Sequence, residues 1–453
     1  MDAIIHHAGP LRGSVTLPPD KAICHRAVLL AALAEGETTI RPWPSAEDCQ
    51  HTLRIIQQLG IPVRQSSALV QIRGRGLRGL QAPASSLWCG ESGTTLRLAA
   101  GILAGQPFSS QLTAGPSLSH RPMRRIVEPL AQMGARLEGA AGADESAECV
   151  PPLTIYGRSP LQAIRYEMPV ASAQVKSAIL FAALFAEGRS AVIEPQETRD
   201  HTERLLRACG VRVQRDGRCI TIEPRQIASP GELALPGDFS SAAFFLVAAS
   251  CVSGSRLTLH DVSLNPTRIR ALEALIRMGA RITSRMTQDG WEPRGTMTVE
   301  RSPLHGLMLD AAQTPGLIDE LPILMVAAAC AQGTSRFEGL SELRVKETDR
   351  VRSLVEGLQR LGAAVRVPAR DTVELDGGAL RGADVESAGD HRTAMSLAVA
   401  GLIAQGTTTI RAAECIAKSF PEFFDCLRAV AGSSTVQTIP SAQRKGFKGG
   451  VFY

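Results

Sequence analysis

Six stretches of small and apolar residues recur along the chain, each behind a short polar string. They begin near Ala27 (AVLLAALAEGETTI), Leu96 (LRLAAGILAG), Ala178 (AILFAALFAEGRSAVI), Ala242 (AAFFLVAASCVSGSRLTL), Ile323 (ILMVAAACAQGTSRF) and Met395 (MSLAVAGLIAQGTTTI). Apolar nearly all round, they predict helices buried on every side. Each has a glycine near its end, which suits a left-handed helix C-terminus. A β-branched run follows, of the kind seen in LTIYGR and CITIEPR, and predicts a strand. A second helical pattern then closes on glycine: LRIIQQLG, IVEPLAQMG, LLRACG, LEALIRMG, LVEGLQRLG and a degenerate FFDCLRAVAG. It carries a charged face and predicts outer helices. Strand, helix, strand, helix, strand thus repeats six times with a period of about 65–85 residues.

The repeat predicts an α/β architecture of two pseudo-threefold lobes. Leu235–Pro236–Gly237 marks the boundary, because Pro-Gly suits a crossover. Leu17–Pro18–Pro19–Asp20 is a second crossover. The first lobe is then residues 21–236, and the second is residues 237–432 joined by residues 1–20. Residues 433–453 are polar, basic and aperiodic, and predict a flexible tail.

The polar strings read DKAICHR, GESGTTLR, ASAQVKSA, GDFSSAAF, IDELPI and GDHRTAM. They place six helix N-termini in equivalent positions, and such termini attract anions through free N–H groups and the macrodipole. Arg26, Arg97, Arg121, Arg199, Arg350 and Arg392 are read as lying in or next to these polar strings. One such arginine is ordinarily a surface ion pair; six at equivalent places predict a pocket for substrates with several negative charges.

Composition narrows the partner. A chain of 453 residues is too long for one core. Aromatic content of 4% argues against stacking on single-stranded nucleic acid, and the net charge of +5 is scattered, which argues against a duplex-binding face. No 18-residue uncharged apolar run occurs, so no membrane span is expected. The start, MDAIIHHAGPLRG, lacks the apolar region of a signal peptide. The ten cysteines form no CxxC pair. Most, including Cys209, Cys251 and Cys330, are expected as buried free thiols in a reducing cytoplasm. The histidines lack metal-ligand spacing, so no metal is expected. His25, His201 and His391 are read as structural hydrogen-bonding groups.

The densest string is ELRVKETDR, Glu342 to Arg350. As an isolated feature it reads equally as a solvated helix start, with Lys346 and Arg350 as a surface pair. Its repeat position beside IDELP and DKAICHR favours a site. Gly74–Gly79 matches GxGxxG, but Pro83 blocks a following helix, so it is read as a turn.

These strings resemble the 5-enolpyruvylshikimate-3-phosphate synthase family of enolpyruvyl transferases, from about Gly13 to Arg428. SAQVKSA, TRDHTERLL, PGDFSSAAFF, LNPTR, ELRVKETDR and DHRTAM place it nearest the family's glyphosate-tolerant bacterial branch. The resemblance implies a two-lobed inverse α/β barrel-like fold of six βαβαββ units, three per lobe. It implies transfer of the carboxyvinyl group of phosphoenolpyruvate to the 5-hydroxyl of shikimate 3-phosphate, by a monomer without metal or organic cofactor. Carried over by motif, Lys21, Arg26, Ser172, Gln174, Arg199, Asp319 and Lys346 meet shikimate 3-phosphate. Lys21, Gly93, Arg121, Gln174, Arg350, Arg392 and Lys418 surround phosphoenolpyruvate. Asp319 takes the hydroxyl proton, Glu347 delivers a proton to the methylene carbon, and Lys21 completes the catalytic set.

The chain departs from the family's pattern in places. Pro19 stands for a glycine, Cys24 is unusual, and Ala22 replaces a serine whose hydroxyl meets the shikimate phosphate. Glu91 replaces an asparagine that contacts phosphoenolpyruvate, which puts an acid where an anion should bind. Two rivals follow: a transferase with another acceptor, and a paralogue that binds without turnover. Ser172, Gln174 and Arg199 argue against the first. Asp319, Lys346 and Glu347 argue against the second, while Ala22 and Glu91 argue for it.

Overall fold

The structure, a computed structural model, describes residues 1–142 and 148–440. The six apolar stretches are helices: Lys21–Leu33, Gly93–Ala104, Ala173–Ala183, Phe239–Cys251, Leu321–Ala329 and His391–Ile403. Their all-round apolarity has the expected consequence. Phe239–Cys251 buries every residue except Cys251. The six outer helices follow in register at Glu47–Gln58, Arg124–Gln132, His201–Ala208, Arg270–Arg277, Arg350–Arg360 and Phe423–Ala431.

Glycine stops the outer helices rather than the inner ones. Gly60, Gly134, Gly210, Gly279 and Gly362 all have φ between +82 and +94°. Each closes a Schellman turn: Gly60 N–H donates to Gln57 O at 3.0 Å and Ile61 N–H to Ile56 O at 3.0 Å. The degenerate sixth helix ends on Gly432 without that pair of bonds. The inner helices depart from expectation. Gly105 caps its helix at an ordinary φ of −89°. Ala34, Val252 and Ala404 end three others in extended backbone. The left-handed glycine comes later: Gly36, Gly188, Gly254, Gly333 and Gly406, three to five residues past the ends of their inner helices, have φ between +69 and +109°.

Six four-stranded sheets share one order, a parallel pair followed by two antiparallel steps, and in four of them the parallel strands flank one inner helix. In the second unit Leu87–Trp88 lies parallel to Ser109–Thr113, which is antiparallel to Cys149–Tyr156, with Arg136–Ala141 outermost. This supplies a fourth strand that the periodicity alone did not separate. Two units are completed by chain exchange. Arg12–Thr16 pairs with Arg256–Ser263, and Glu232–Ala234 pairs with Glu35–Arg41. Asp2–His6 sits between Thr407–Arg411 and Val436–Ile439.

Within the expected tail, Val436–Ile439 is a strand. Val436 is buried opposite Ile5, and four strand residues are too few to show a period. Residues 441–453 lie outside the described residues.

Two separate hydrophobic clusters form the lobes. One runs from Ile23 to Leu235; the other joins Ala3–Leu17 to Phe239–Val436. The two crossovers run side by side: Asp20 N–H donates to Pro236 O at 2.8 Å, and Asp238 N–H to Pro18 O at 2.9 Å. These bonds flank Pro19, so its missing N–H costs nothing there. Among the described residues no helix is long and apolar enough to cross a membrane. All ten cysteines are free. Cys209 is buried, whereas Cys251 and Cys330, at helix ends, are only half-buried.

Candidate active site

The inner helices begin on Asp20, Ser92, Ser172, Asp238, Glu320 and Asp390. Five of these side chains cap their own helix. Asp20 accepts from Ile23 N–H at 3.0 Å, and Asp390 accepts from Arg392 N–H at 2.8 Å. Glu320 serves differently. Buried Arg268 reaches Glu320 at 2.6 Å, Asp238 at 2.9 Å and Asp20 at 3.5 Å. One guanidinium thus ties three helix starts from both lobes.

Two connected chambers open between the lobes. The wider encloses about 330 Å³ and is lined by Ser172, Gln174, Arg199, Asp319 and Lys346 among others. The smaller, about 110 Å³, is lined by Lys21, Arg26, Gly93, Glu347, Arg350 and Arg392 among others. Arg121, Gln174, Arg199, Asp319 and Lys346 border both. Twelve of the thirteen expected site residues therefore converge. Lys418 stands outside both linings, with its ammonium on Gly389 O at 3.1 Å, beside the Asp390 cap.

Asp319 sits where the chambers meet. Arg199 of the opposite lobe reaches its carboxylate at 2.8 Å, with Arg392 at 3.5 Å and Arg350 at 3.6 Å. Burial pushes this carboxyl up, but Arg392, Arg199, Lys346 and Arg350 outweigh it and hold it well below the usual range. In the empty site the group is an anion, and a weaker base than an ordinary carboxylate. Glu347 is paired with Arg350, and Arg121 lies at 3.9 Å. Burial again raises its carboxyl, and Arg350, Arg121 and His391 pull it well below its ordinary value. Lys346 is pushed down to about 8 by burial, with Asp319 opposing.

Lys21 donates to Asp48 at 2.8 Å. Burial lowers its ammonium, but Asp48 more than offsets this, so Lys21 stays charged. Arg26 is engaged throughout, with Thr202 at 2.7 Å, Ala22 O at 2.7 Å and Ser177 at 3.0 Å. Gln174 is held by Arg97 and donates to Thr94 at 2.8 Å. Arg350 is not a surface residue; it is 2% exposed and bonded to Asp390 at 2.7 Å. Two buried donors here, Arg350 Nη1 and Arg121 Nε, have no hydrogen-bond partner among the described residues. Unspent cationic donors beside a cavity suit anionic ligands. Among the described residues no three His, Cys, Asp or Glu side chains are grouped to hold a metal ion.

Of the three expected histidine roles, His25 shows the hydrogen bond, on Thr52 at 2.6 Å, whereas His201 lies 3.0 Å from Glu292 with neither ring nitrogen hydrogen-bonded, and His391 Nδ1 is likewise without a partner among the described residues. Gly74–Gly79 is the end of a strand and a turn, with no helix after it. Sequence reading passed over Asp48 and Arg268. Asp48 looked like an acid in a helix's first turn, and Arg268 like one more basic residue. Only their distant partners distinguish them.

A two-lobed sixfold α/β fold with a cation-lined cleft defines an enolpyruvyl transferase. Residues 5–427 match the EPSP synthase (3-phosphoshikimate 1-carboxyvinyltransferase) family, and the chain belongs to it. It is 46% identical over 435 residues to the Salinibacter ruber 3-phosphoshikimate 1-carboxyvinyltransferase, covering 95% of this chain and 99% of that protein. The Bacillus cereus enzyme of the same name is 44% identical over 93% of this chain and 97% of its own. The EPSP synthase structure from Acinetobacter baumannii superposes with a TM-score of 0.84 at 39% identity, covering 96% and 99% of the two chains.

Proposed function

We infer that this chain transfers the carboxyvinyl group of phosphoenolpyruvate to the 5-hydroxyl of shikimate 3-phosphate and releases phosphate. This is the shikimate-pathway step toward aromatic amino acids. Family membership supports the reaction. The observation that carries the roles is Asp319, an ionised carboxylate at the junction of two cation-lined chambers.

Shikimate 3-phosphate lies along the wider chamber against Ser172, Gln174, Arg199 and Lys346, and reaches Lys21 and Arg26 where the chambers join. Phosphoenolpyruvate takes the smaller chamber, among Lys21, Gly93, Arg121, Gln174, Arg350 and Arg392. Lys418 contributes from behind the Asp390 cap. Asp319 accepts the 5-hydroxyl proton as that oxygen attacks the enol carbon, and Glu347 gives a proton to the methylene carbon. Glu347 is anionic in the empty site. Substrate carboxylate and phosphate compete for Arg121 and Arg350, which releases Glu347 toward its protonated form. Lys21 then stabilises the departing phosphate while Glu347, left as a carboxylate by the first step, takes a proton back from the methyl carbon and so re-forms the double bond.

The lobes are residues 21–236 and 237–432 with residues 1–20, as the two hydrophobic clusters support. The protein acts as a monomer in the cytoplasm. One chain supplies all of the cleft residues, and the ten free cysteines suit a reducing compartment. A phosphate-release assay with both substrates tests the reaction. Turnover with another acceptor and none with shikimate 3-phosphate would replace it.

A further inference from the structure

Glu91 stands where the motif resemblance expects an asparagine, and its carboxylate does not stand free in the smaller chamber. One oxygen accepts from Leu118 N–H at 2.8 Å, and the other from Ser117 N–H at 3.4 Å. The fit is close. Gly90 O accepts from Gly115 N–H at 2.8 Å, and a Cβ on Gly115 would lie 2.3 Å from Glu91 Oε1. The segment before the helix Gly93–Ala104 is therefore docked on residues 115–118.

What those residues carry gives the contact its meaning. Ser117 donates its hydroxyl to Glu347 O at 2.7 Å, across the cleft. Leu118–His120 is a single turn, closed by Arg121 N–H on Leu118 O at 3.0 Å. Arg121 follows at once and points at Glu347. The backbone N–H groups of Ser117 and Leu118 open this turn and have no helical acceptor of their own.

We propose that Glu91 is a positioning residue for phosphoenolpyruvate, acting by capping the turn that aims Ser117 and Arg121 at Glu347 of the opposite lobe. This rests on the reading that phosphoenolpyruvate occupies the smaller chamber. It reverses the expectation drawn from sequence. From sequence, the acid reads as placed where an anion should bind. The structure turns both oxygens onto backbone donors, so the charge is spent on the protein. Asparagine is one carbon shorter and offers one acceptor and a donor to two N–H groups. It cannot make the same cap.

The test is steady-state kinetics on the full chain, varying each substrate separately. Glu91→Asn is expected to raise KM for phosphoenolpyruvate about tenfold, the scale of one lost charge-assisted hydrogen bond. The Kd for shikimate 3-phosphate, by calorimetry, should stay within about twofold. Glu91→Gln keeps the length and one acceptor, so its KM should fall between the two. A fall in the phosphoenolpyruvate KM of Glu91→Asn overturns the proposal in favour of repulsion. An equal loss of affinity for both substrates overturns it in favour of a general structural role. If wild-type chain releases no phosphate from the substrate pair, the underlying reading fails, and the proposal with it.

Discussion

Arg125 and Glu342 form a two-pronged ion pair across the cleft, with guanidinium nitrogens at 3.0 and 3.2 Å from the two carboxylate oxygens. The first residue belongs to the lobe that carries Lys21 and the second to the lobe that carries Asp319. Both are only partly exposed, which spares the pair much of the screening that weakens surface bridges. With Ser117 on Glu347 and Arg199 on Asp319, it holds the two halves of the site together.

Arg125→Ala should therefore raise KM for both substrates about fivefold, with a smaller change in kcat. Arg125 also borders the wider chamber, so a direct ligand contact must be separated from clasping. The charge-swapped pair Arg125→Glu with Glu342→Arg serves this end. It should recover most of the loss if the residues clasp each other. No recovery would mean that Arg125 acts on the ligand instead.

On the proposed proton-transfer roles, Asp319→Asn and Glu347→Gln should each lower kcat by roughly 10²–10⁴-fold. Binding of shikimate 3-phosphate should survive within about tenfold, because Lys346 and Arg199 remain. Either variant turning over near the wild-type rate, measured by phosphate release, would strip that residue of its role.

The sequence was legible where structure is local. Inner helices showed as apolar stretches, outer helices as one-sided patterns closing on glycine, and crossovers as Pro-Gly and Pro-Pro steps. The site was legible for a related reason: sixfold repetition puts six helix starts in equivalent places, so polar residues there converge once the units close. What escaped depends on distance along the chain. Arg125 finds Glu342 217 positions away, and Ser117 finds Glu347 230 away. No periodicity encodes such pairs. Glu91 could not be placed for the same reason, since its polarity was visible but the N–H donors it meets, on residues 117 and 118, were not. Val436–Ile439 was hidden because a strand that completes a sheet with the chain's first residues leaves no mark in its neighbours.

Lys346 gives the site a pH limit. Burial pushes its ammonium down to about 8, with Asp319 pulling the other way. The charged form attracts the phosphate, so affinity is present below that value and declines as pH rises through it. By one unit above, about a tenth of the lysine remains protonated. The Kd for shikimate 3-phosphate should then rise roughly tenfold between pH 7.5 and 9. Lys346→Arg keeps its charge and should flatten this limb. A wild-type Kd constant across that range would show that Lys346 stays charged or makes no contact.

Gly93 sets the clearance beside Arg121 and Arg97, on the side proposed for phosphoenolpyruvate. An added Cβ would lie 2.8 Å from Arg121 Nη1, 3.1 Å from its Cζ and 3.3 Å from Arg97 Nη1. The helix tolerates alanine, so the arginines must give way. Gly93→Ala should fold normally and raise the phosphoenolpyruvate KM by about tenfold, the scale expected when a binding group is displaced by a fraction of an ångström. An unchanged KM would place Arg121 outside the phosphoenolpyruvate contacts.

Ala22 offers the opposite experiment, a gain of contact. It lines the smaller chamber, and its carbonyl already holds Arg26 Nη1 at 2.7 Å, so the backbone there is fixed. A hydroxyl at this place adds a donor without moving the helix start. A hydrogen bond to a charged group contributes about 1.5–3 kcal/mol. Ala22→Ser should accordingly lower the Kd for shikimate 3-phosphate by about tenfold or more, read by calorimetry. The Kd for phosphoenolpyruvate should stay unchanged, since its cations are untouched. If serine instead weakens shikimate 3-phosphate binding, the space beside Ala22 is shaped for a bulkier acceptor. Screening phosphorylated alcohols in the same phosphate-release assay then becomes the direct way to find it.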